Sequence, residues 1–165
     1  MITAGDLIKA LHLSPHPEGG YYRETYRSGE NTTAENGEVR SVCTTIYFLL
    51  EGTDRSRFHR IRSDEQWFFH LGQALEICCL SGDGVHWTTL GCDVYRGESP
   101  WMMVPRNTWF GCRLKHESGY ALVSCIVAPG FDFRDFELAK RDDLIREFSS
   151  LKPLIEEFTR ETGNT

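Results

Sequence analysis

Short strand-like segments follow one another between residues 21 and 127 with no helical pattern between them, and this limits the possible folds more than any other feature. Residues 41–50 are β-branched and apolar, as expected of a well-buried strand. Gly82-Asp83-Gly84 predicts a hairpin turn. Many short strands without intervening helices indicate a mainly β fold, a sandwich or a barrel. The predicted strands are Tyr21–Arg27, Ser41–Leu50, Gln66–Leu71, Ala74–Leu80, Val85–Leu90, Trp101–Val104, Thr108–Leu114 and Tyr120–Val127.

Helical patterns lie near the two ends of the chain. Residues 3–13 carry an apolar stripe at helical spacing, and residues 141–148 and 153–160 have the same character. Pro153 is placed to start the last helix. The polar residues 28–38 predict a loop. We expect one domain over residues 1–165, with a barrel at about 18–132 and a C-terminal helical tail at about 133–165.

Composition excludes several classes of protein. The net charge is −6 and no basic cluster stands out, which argues against a nucleic-acid surface. No segment approaches the ~20 apolar residues of a membrane span, and residues 1–20 lack the apolar core of a signal peptide. We therefore expect a cytoplasmic protein with neither a nucleic-acid nor a membrane partner. In that compartment the six cysteines are expected to be free thiols rather than disulfides.

The segment from His59 to Glu65 predicts a polar site inside the β structure. Residues an even number apart in an extended chain face the same side, so His59 and Ile61 point one way at the end of one strand. Residues 62–64 form a polar connection, and Glu65 opens the next strand and can point back into the same space. An imidazole facing a carboxylate is suited to a metal site, a proton-transfer site or a polar ligand pocket.

The same segment resembles the first cupin motif, which runs His, any residue, His, three residues, Glu, six residues, Gly. His59, Glu65 and Gly72 are in register with that motif, but Ile61 replaces its second histidine. The second motif is matched in part by a glycine and a proline, Gly97 and Pro105. Asn107 stands where that motif has a glycine, and Phe110 stands where it has a metal-binding histidine.

Four further stretches narrow the resemblance to the cupin-5 family of uncharacterised small proteins, over roughly residues 5–140. They are HPEGGYYRETY (16–26), TIYFLL (45–50), FHRIRSDEQWFFHLG (58–72) and VPRNTWF (104–110). The resemblance implies a double-stranded β-helix, or jelly roll, with short helices at both ends. It also implies a likeness to epimerases of the dTDP-4-dehydrorhamnose 3,5-epimerase type. Small cupins commonly pair through their sheet edges, so a homodimer is expected.

The replacement of two motif histidines by Ile61 and Phe110 bears on whether the protein binds a metal. Metal sites built from two histidines and a carboxylate need at least three protein ligands, and only His59 and Glu65 remain here. His70 follows Glu65 by an odd spacing and is expected on the other face of the strand unless a bulge intervenes. No cofactor is favoured, although a divalent metal on His59, Glu65 and a recruited third ligand is the alternative.

The resemblance implies that His59 is a catalytic base and that Glu65 orients it or contacts the ligand. Epimerases of this type use a tyrosine on the opposite sugar face as the acid, and the candidates are Tyr22, Tyr26, Tyr47 and Tyr95. The leading prediction is a protein that binds a small polar metabolite, a sugar or nucleotide sugar, and isomerises or epimerises it. The alternatives are a metal-dependent cupin enzyme and a non-catalytic binding protein.

Aromatic and polar residues near these motifs are the predicted substrate contacts. Tyr22 and Glu24 share one strand face, Arg23 can pair with a phosphate, and Trp67 shares the face of Glu65. The remaining histidines, His16 among them, have no carboxylate at a meaningful spacing and are expected to be solvated or structural. The predicted substrate-binding residues are Tyr22, Arg23, Glu24, Tyr47, Trp67, His70, Met103 and Trp109.

Overall fold

Two antiparallel β-sheets lie face to face in the computed structural model, which describes residues 2–160 of the chain. The strands are β1 (Ser14–Pro15), β2 (Tyr21–Arg27), β3 (Asn31–Thr33), β4 (Val39–Ser41), β5 (Thr44–Glu51), β6 (Arg55–Arg60), β7 (Asp64–Gly72), β8 (Leu75–Ser81), β9 (Gly84–Leu90), β10 (Trp101–Val104), β11 (Trp109–Leu114), β12 (Tyr120–Ala128) and β13 (Glu137–Leu138). The α-helices are α1 (Ala4–Ala10), α2 (Arg141–Glu147) and α3 (Lys152–Glu157). Short 3₁₀ turns occupy Val94–Arg96, Phe133–Asp135 and Ser149–Leu151.

The strand order explains how distant parts of the sequence meet. One sheet has the order β1-β2-β5-β12-β7-β10, and the other has the order β13-β6-β11-β8-β9. β6 and β7 are consecutive in the chain but belong to different sheets, so the connection after His59 crosses from one sheet to the other. This crossing brings His59 and Glu65 to the same interior, as their spacing predicted.

The main core fills the space between the sheets. Phe48 and Leu50 of β5 point inward with Ile77 of β8 and Val123 of β12, and all four are at most 1 % exposed. The inward positions follow the two-residue period of extended chains. Burial of each such side chain contributes about 1.5–3 kcal/mol to folding.

The helices cover the outer faces of the sheets. α1 begins with a capping box between Thr3 and Asp6 and packs near Leu49, which faces away from the main core. α2 and α3 lie over the five-stranded sheet, where Leu144 and Phe158 pack on Phe58 and Trp109. The predicted helices are confirmed, but each ends earlier than expected. The last five residues of the predicted tail, 161–165, lie outside the described residues.

Two local features differ from the simple expectation, the segment 28–38 and the backbone at Asn107. The expected loop at 28–38 contains β3, which pairs with β4 in a separate two-stranded sheet. Asn107 has a left-handed backbone with φ +59. Because asparagine tolerates this conformation better than most residues, it meets the backbone need that glycine meets in the resembled motif.

The cysteines agree with the prediction that they are free thiols. All six are unpaired within the described residues. Cys78 packs under the C-terminal helices and Cys79 packs on the inter-sheet core, as expected of neighbours on one strand. None of the helices over residues 2–160 is long and apolar enough to cross a membrane. β10 is an edge strand with Trp101 and Met103 exposed, and the homodimer stays a prediction.

Candidate functional site

A cavity of about 500 Å³ opens between the two sheets and reaches three buried ionisable side chains. Glu18, His59 and Glu65 line it and are 5 %, 2 % and 7 % exposed. Aromatic rings, including Phe48 and Trp67, form its walls. Buried ionisable groups cost free energy unless they are paired, and they concentrate at functional sites. This cavity is therefore the candidate site.

His59 is held at both ring nitrogens. Its Nδ1 lies 2.7 Å from the carbonyl oxygen of Arg57, and its Nε2 lies 3.0 Å from Glu18 Oε2. A carbonyl oxygen only accepts hydrogen bonds, so Nδ1 carries the hydrogen. Nε2 and the Glu18 carboxyl therefore share one proton. Phe110 packs on the imidazole with ring centroids 4.1 Å apart and shields this contact.

Glu18 reaches His59 because the turn before β2 is pressed against β6. Gly19 has φ +117, and a Cβ there would lie 2.2 Å from the carbonyl oxygen of Arg55, so only glycine fits. Arg57 N donates to Glu18 O at 2.9 Å, and Ser56 Oγ donates to Glu18 Oε1 at 2.8 Å. Main-chain and side-chain contacts together fix the carboxyl inside the cavity.

The expected pairing of His59 with Glu65 is corrected by this geometry. Glu18 is the carboxyl beside His59 Nε2, whereas Glu65 lines the same cavity from a strand of the other sheet. Sequence reasoning missed Glu18 because it lies far from His59 in the chain. The Pro17-Glu18-Gly19-Gly20 turn was the one local signal that a specific backbone geometry is needed there.

His16 is also part of the cavity, contrary to the expectation that it is solvated or structural. Its Nδ1 accepts a hydrogen bond from Glu18 N at 3.3 Å and lies 3.4 Å from Glu18 Oε2. The Tyr22 ring packs edge-on to the imidazole, with ring centroids 4.5 Å apart. The ring centroids of Phe133 and Phe136 lie 6.1 and 5.8 Å from that of His16. His16 thus joins the polar floor to an aromatic wall.

Glu65 is the third buried acid. Burial first, and the neighbouring Glu18 second, raise its pKa from 4.5 to about 8, against weaker contacts from Cys125 and Trp67. Trp67 shares the face of Glu65, as predicted, and both line the cavity. The Nε1–H of Trp67 is buried without a hydrogen bond of good geometry among the described residues. A buried unsatisfied donor costs about 1–3 kcal/mol, so it offers a contact to a polar ligand.

Burial sets the protonation states of Glu18, His59 and Glu65, which form the polar floor of the cavity. It lowers the pKa of His59 from 6.5 to about 4, and it raises the pKa of the Glu18 carboxyl. At neutral pH the imidazole is therefore neutral and Glu65 is protonated. Glu18, His59 and Glu65 therefore act as hydrogen-bond donors and acceptors. The state in which Glu18 and Glu65 are both negatively charged is disfavoured.

Charged residues stand at the mouth of the cavity. Tyr22 and Glu24, which were predicted to share one strand face, line it together with Arg23. Arg27 forms a bidentate pair with Glu24, with nitrogen–oxygen distances of 2.9 and 2.7 Å. Arg23 lies over the Tyr47 ring at 5.9 Å and has no carboxylate within ion-pair distance among residues 2–160. Because Arg23 is paired with Tyr47 and shares its sheet face, its guanidinium lies on the outer side of the six-stranded sheet, and Arg27 is the arginine whose side chain stands at the mouth.

Four predicted substrate contacts lie elsewhere, and the reason is strand parity. Tyr47 and His70 occupy the outer face of the six-stranded sheet, with ring centroids 6.1 Å apart, and His70 Nε2 lies 2.5 Å from Ser124 Oγ. Met103 is 41 % exposed on β10. Trp109 packs under the C-terminal helices, next to the inward-facing Phe110. These residues alternate with inward-facing neighbours.

Two positions that carry metal-binding histidines in the resembled motif carry hydrocarbon side chains here. Ile61 lines the cavity where the resembled motif has histidine, and Phe110 packs on His59 where it has another. Hydrocarbon side chains cannot ligate a metal. Over the part of the chain that the structure describes, no three His, Cys, Asp or Glu side chains are arranged to hold one.

Comparisons with known proteins agree with this architecture. A family model described as Cupin_5, Cupin superfamily (DUF985), matches residues 5–139. A hypothetical protein from Leishmania major is 37 % identical, with a TM-score of 0.91 over 97 % of this chain and 100 % of that chain. Protein SO0799 from Shewanella oneidensis is 39 % identical, with a TM-score of 0.90 over 98 % of this chain and 100 % of that chain.

The chain is also similar to more distant proteins. The uncharacterised protein YML079W of Saccharomyces cerevisiae is 28 % identical over 155 residues, which cover 85 % of this chain and 77 % of that protein. Oxalate decarboxylase from Bacillus subtilis is 13 % identical, with a TM-score of 0.55 over 88 % of this chain and 37 % of that chain. At that identity the likeness concerns the fold alone.

Proposed function

Because the chain belongs to the Cupin_5 family (DUF985) of the cupin superfamily, we propose that its cavity binds a small polar metabolite and moves a proton on it, as an isomerase or epimerase does. The substrate class that we propose is a sugar or nucleotide sugar with a carbonyl group. The observation that carries the proposal is the buried contact of 3.0 Å between His59 Nε2 and Glu18 Oε2. Such a pair exchanges a proton with a carbon acid beside a carbonyl group.

The proton leaves the carbon next to the carbonyl group for His59 Nε2, so that the pair, which shares one proton before the step, holds two after it. The electron pair of the broken C–H bond moves toward the carbonyl carbon, and negative charge develops on the carbonyl oxygen. His59 keeps its orientation throughout, because Nδ1 is bonded to Arg57 O at 2.7 Å. Return of the proton to the opposite face gives an epimer, and return to the neighbouring carbon gives an isomer.

Glu65 stabilises the charge that develops on oxygen. Its pKa of about 8 keeps the carboxyl protonated at neutral pH, so it donates a hydrogen bond to the carbonyl oxygen. Tyr22 is the candidate for proton return, since it lines the cavity while Tyr26 and Tyr95 are 54 % and 98 % exposed. Each role uses a side chain that lines the cavity.

The cavity suits a ligand of this class. Its volume of about 500 Å³ falls within the range of about 300–1,000 Å³ that is usual for small-molecule sites. Aromatic walls pack on the apolar face of a sugar ring, and Arg27 at the mouth is the cation that pairs with a phosphate or carboxylate. The chemistry takes place at the neutral floor, and recognition of charge takes place at the mouth.

Hydrogen–deuterium exchange into the substrate tests the proposal directly. A panel of sugars and nucleotide sugars is incubated in D₂O and followed by ¹H NMR for loss of the proton beside the carbonyl group. We expect exchange with the native protein and at least about 100-fold less with His59→Ala or Glu18→Gln, the loss typical of a missing acid–base group. His70→Ala is the control, since His70 lies on the outer sheet face.

A non-catalytic binding protein is the second candidate. It is favoured by one observation, that both ring nitrogens of His59 already have protein partners. In that case a ligand from the same panel binds, as measured by calorimetry, with no exchange of its protons. Binding without exchange in any panel member would reject the isomerase and keep the binding role.

A further inference from the structure

We propose that a cleft at Arg57 and Arg160 is a second binding site, which takes a phosphate group or a similar oxyanion. The cleft has a volume of about 450 Å³ and is bordered by the Gly19-Gly20 turn and by β6. It shares His16 with the cavity that holds Glu65 but is otherwise lined by different residues, and the proposal goes beyond the function proposed above.

Arg57 has an incomplete set of partners. Its guanidinium donates one hydrogen bond, from Nη2 to Pro17 O at 2.5 Å. Its Nε is buried and has no hydrogen-bond partner within residues 2–160. No carboxylate lies within ion-pair distance of it in the same part of the chain. An arginine presents a planar set of donors that matches the geometry of an oxyanion. The missing partner of Arg57 is therefore an oxyanion.

Arg160 adds a second positive charge to the same cleft. It lines the cleft and has no carboxylate within ion-pair distance among the residues described. Burial first, and the charge of Arg160 second, lower the pKa of Arg57. Two cations held near each other repel, and an anion bound between them would relieve that repulsion.

The other charges of the cleft leave it positive. Arg55 pairs with Glu117 and Glu157, and Glu157 also pairs with Arg113 at 2.9 Å. Arg113 also pairs with Glu76 at 2.8 Å, so Arg55 and Arg113 are fully paired with carboxylates. Glu157 lines the cleft too but is paired with Arg55 and Arg113, so Asp54 is the lining carboxylate of the described chain that has no ion pair. Arg57 and Arg160 together outweigh it.

Arg57 also connects the cleft to the cavity. Its backbone N–H donates to Glu18 O at 2.9 Å, and its carbonyl oxygen accepts from His59 Nδ1 at 2.7 Å. An anion bound to the Arg57 side chain therefore contacts the same residue whose backbone N–H and carbonyl oxygen hold Glu18 and His59. Occupation of the cleft is expected to restrain the turn that carries Glu18.

Calorimetric titration with sodium orthophosphate at fixed ionic strength, set with sodium chloride, tests the site. We expect saturable binding to the native protein and an affinity at least about tenfold weaker in Arg160→Gln, the factor expected for one lost charge-assisted hydrogen bond. Arg57→Lys is expected to weaken binding in the same way. Arg160 is exposed, so its variant should fold normally, and Arg96→Gln is the control at a remote exposed arginine.

Two variants separate the cleft from the cavity. If Arg27→Gln abolishes phosphate binding while Arg160→Gln leaves it unchanged, the anion binds at the cavity mouth and the proposed cleft site is wrong. The absence of saturable heat with the native protein would also overturn it. Neither result affects the deuterium-exchange test of the cavity, so the two proposals stand or fall separately.

Discussion

Glu18 Oε2 lies 3.0 Å from His59 Nε2, although the two residues come from different parts of the chain and both are almost fully buried. The contact depends on a turn of four residues that is held against β6 by the main-chain hydrogen bond from Arg57 N to Glu18 O. It replaces the pairing of His59 with Glu65 that their spacing suggested. The buried pair is thus a product of the tertiary fold, and its removal has measurable consequences.

Glu18→Ala is expected to reduce the free energy of unfolding by about 2–3 kcal/mol. The change leaves His59 Nε2 and the Ser56 hydroxyl without their buried partner, and unsatisfied buried groups carry a cost of this size. Urea unfolding followed by circular dichroism measures it. Glu137→Ala removes an exposed ion pair with Arg60 and is expected to cost under about 1 kcal/mol. Equal losses in the two variants would contradict the role of Glu18.

Glu65→Gln is expected to become more stable relative to the native protein as the pH rises. The pKa of Glu65 is about 8 in the folded state and 4.5 when unperturbed, so the folded protein holds a proton that the unfolded chain releases. The free energy of unfolding of the native protein therefore falls with pH across that interval. His59, with its lowered pKa, acts in the opposite sense below its ordinary value of 6.5.

The clean window for Glu65 is thus pH 6.5–8. At about 1.4 kcal/mol per pH unit, the variant should gain about 2 kcal/mol on the native protein across it. Chemical denaturation at several pH values measures the difference. Glu24→Gln, at the cavity mouth, provides the comparison. Parallel curves for native protein and Glu65→Gln would show that Glu65 is ionised at neutral pH.

Gly19→Ala is expected to cost at least about 3 kcal/mol of stability. The new methyl group would lie 2.2 Å from Arg55 O, and the residue would keep a φ of +117 that alanine avoids. Gly37→Ala is a matched control, because Gly37 has φ +81 but open space around its Cβ position, and we expect about 1 kcal/mol there. Thermal unfolding compares them. Similar losses would mean that backbone strain alone accounts for the effect.

Asp135→Asn is expected to loosen the segment that carries Phe133 and Phe136 over the cavity. Arg40 holds Asp135 with two hydrogen bonds of 2.7 and 3.0 Å, and loss of the carboxylate charge weakens both. Amide exchange measured by mass spectrometry should become about tenfold faster over residues 131–136. Asp93→Asn breaks an exposed pair with Arg96 and should leave that segment unchanged. Unaltered exchange in Asp135→Asn would argue that ring packing alone holds the segment.

Much of the fold was predictable because strand patterns are local. The predicted strands and terminal helices are present, and the jelly-roll fold inferred from the cupin resemblance agrees with the architecture of the cupin neighbours. β5 illustrates the reason, since its inward side chains Phe48 and Leu50 alternate with outward Tyr47 and Leu49. The same parity assigns Tyr47 to the outer face and so contradicts its predicted role in the site.

The rest of the site depends on contacts that no local pattern records. His59, Glu65 and Trp67 follow from spacing along two strands, and they line the cavity together. Glu18 and His16 join them only because the turn before β2 packs on β6, which a periodicity of two or 3.6 residues cannot predict. The paired glycines marked an unusual backbone there but not the group that the turn would deliver.

The residues that line the cavity come from two structurally separate sources. His59 and Glu65 belong to strands of the two sheets, whereas Phe133 and Phe136 belong to the connection between the last long strand and the C-terminal helices. Such connections tolerate substitution and changes of length better than sheet strands do. Relatives can therefore diverge in what they accept by altering this connection alone, and an engineer who wishes to redirect selectivity should randomise it first and leave the sheets intact.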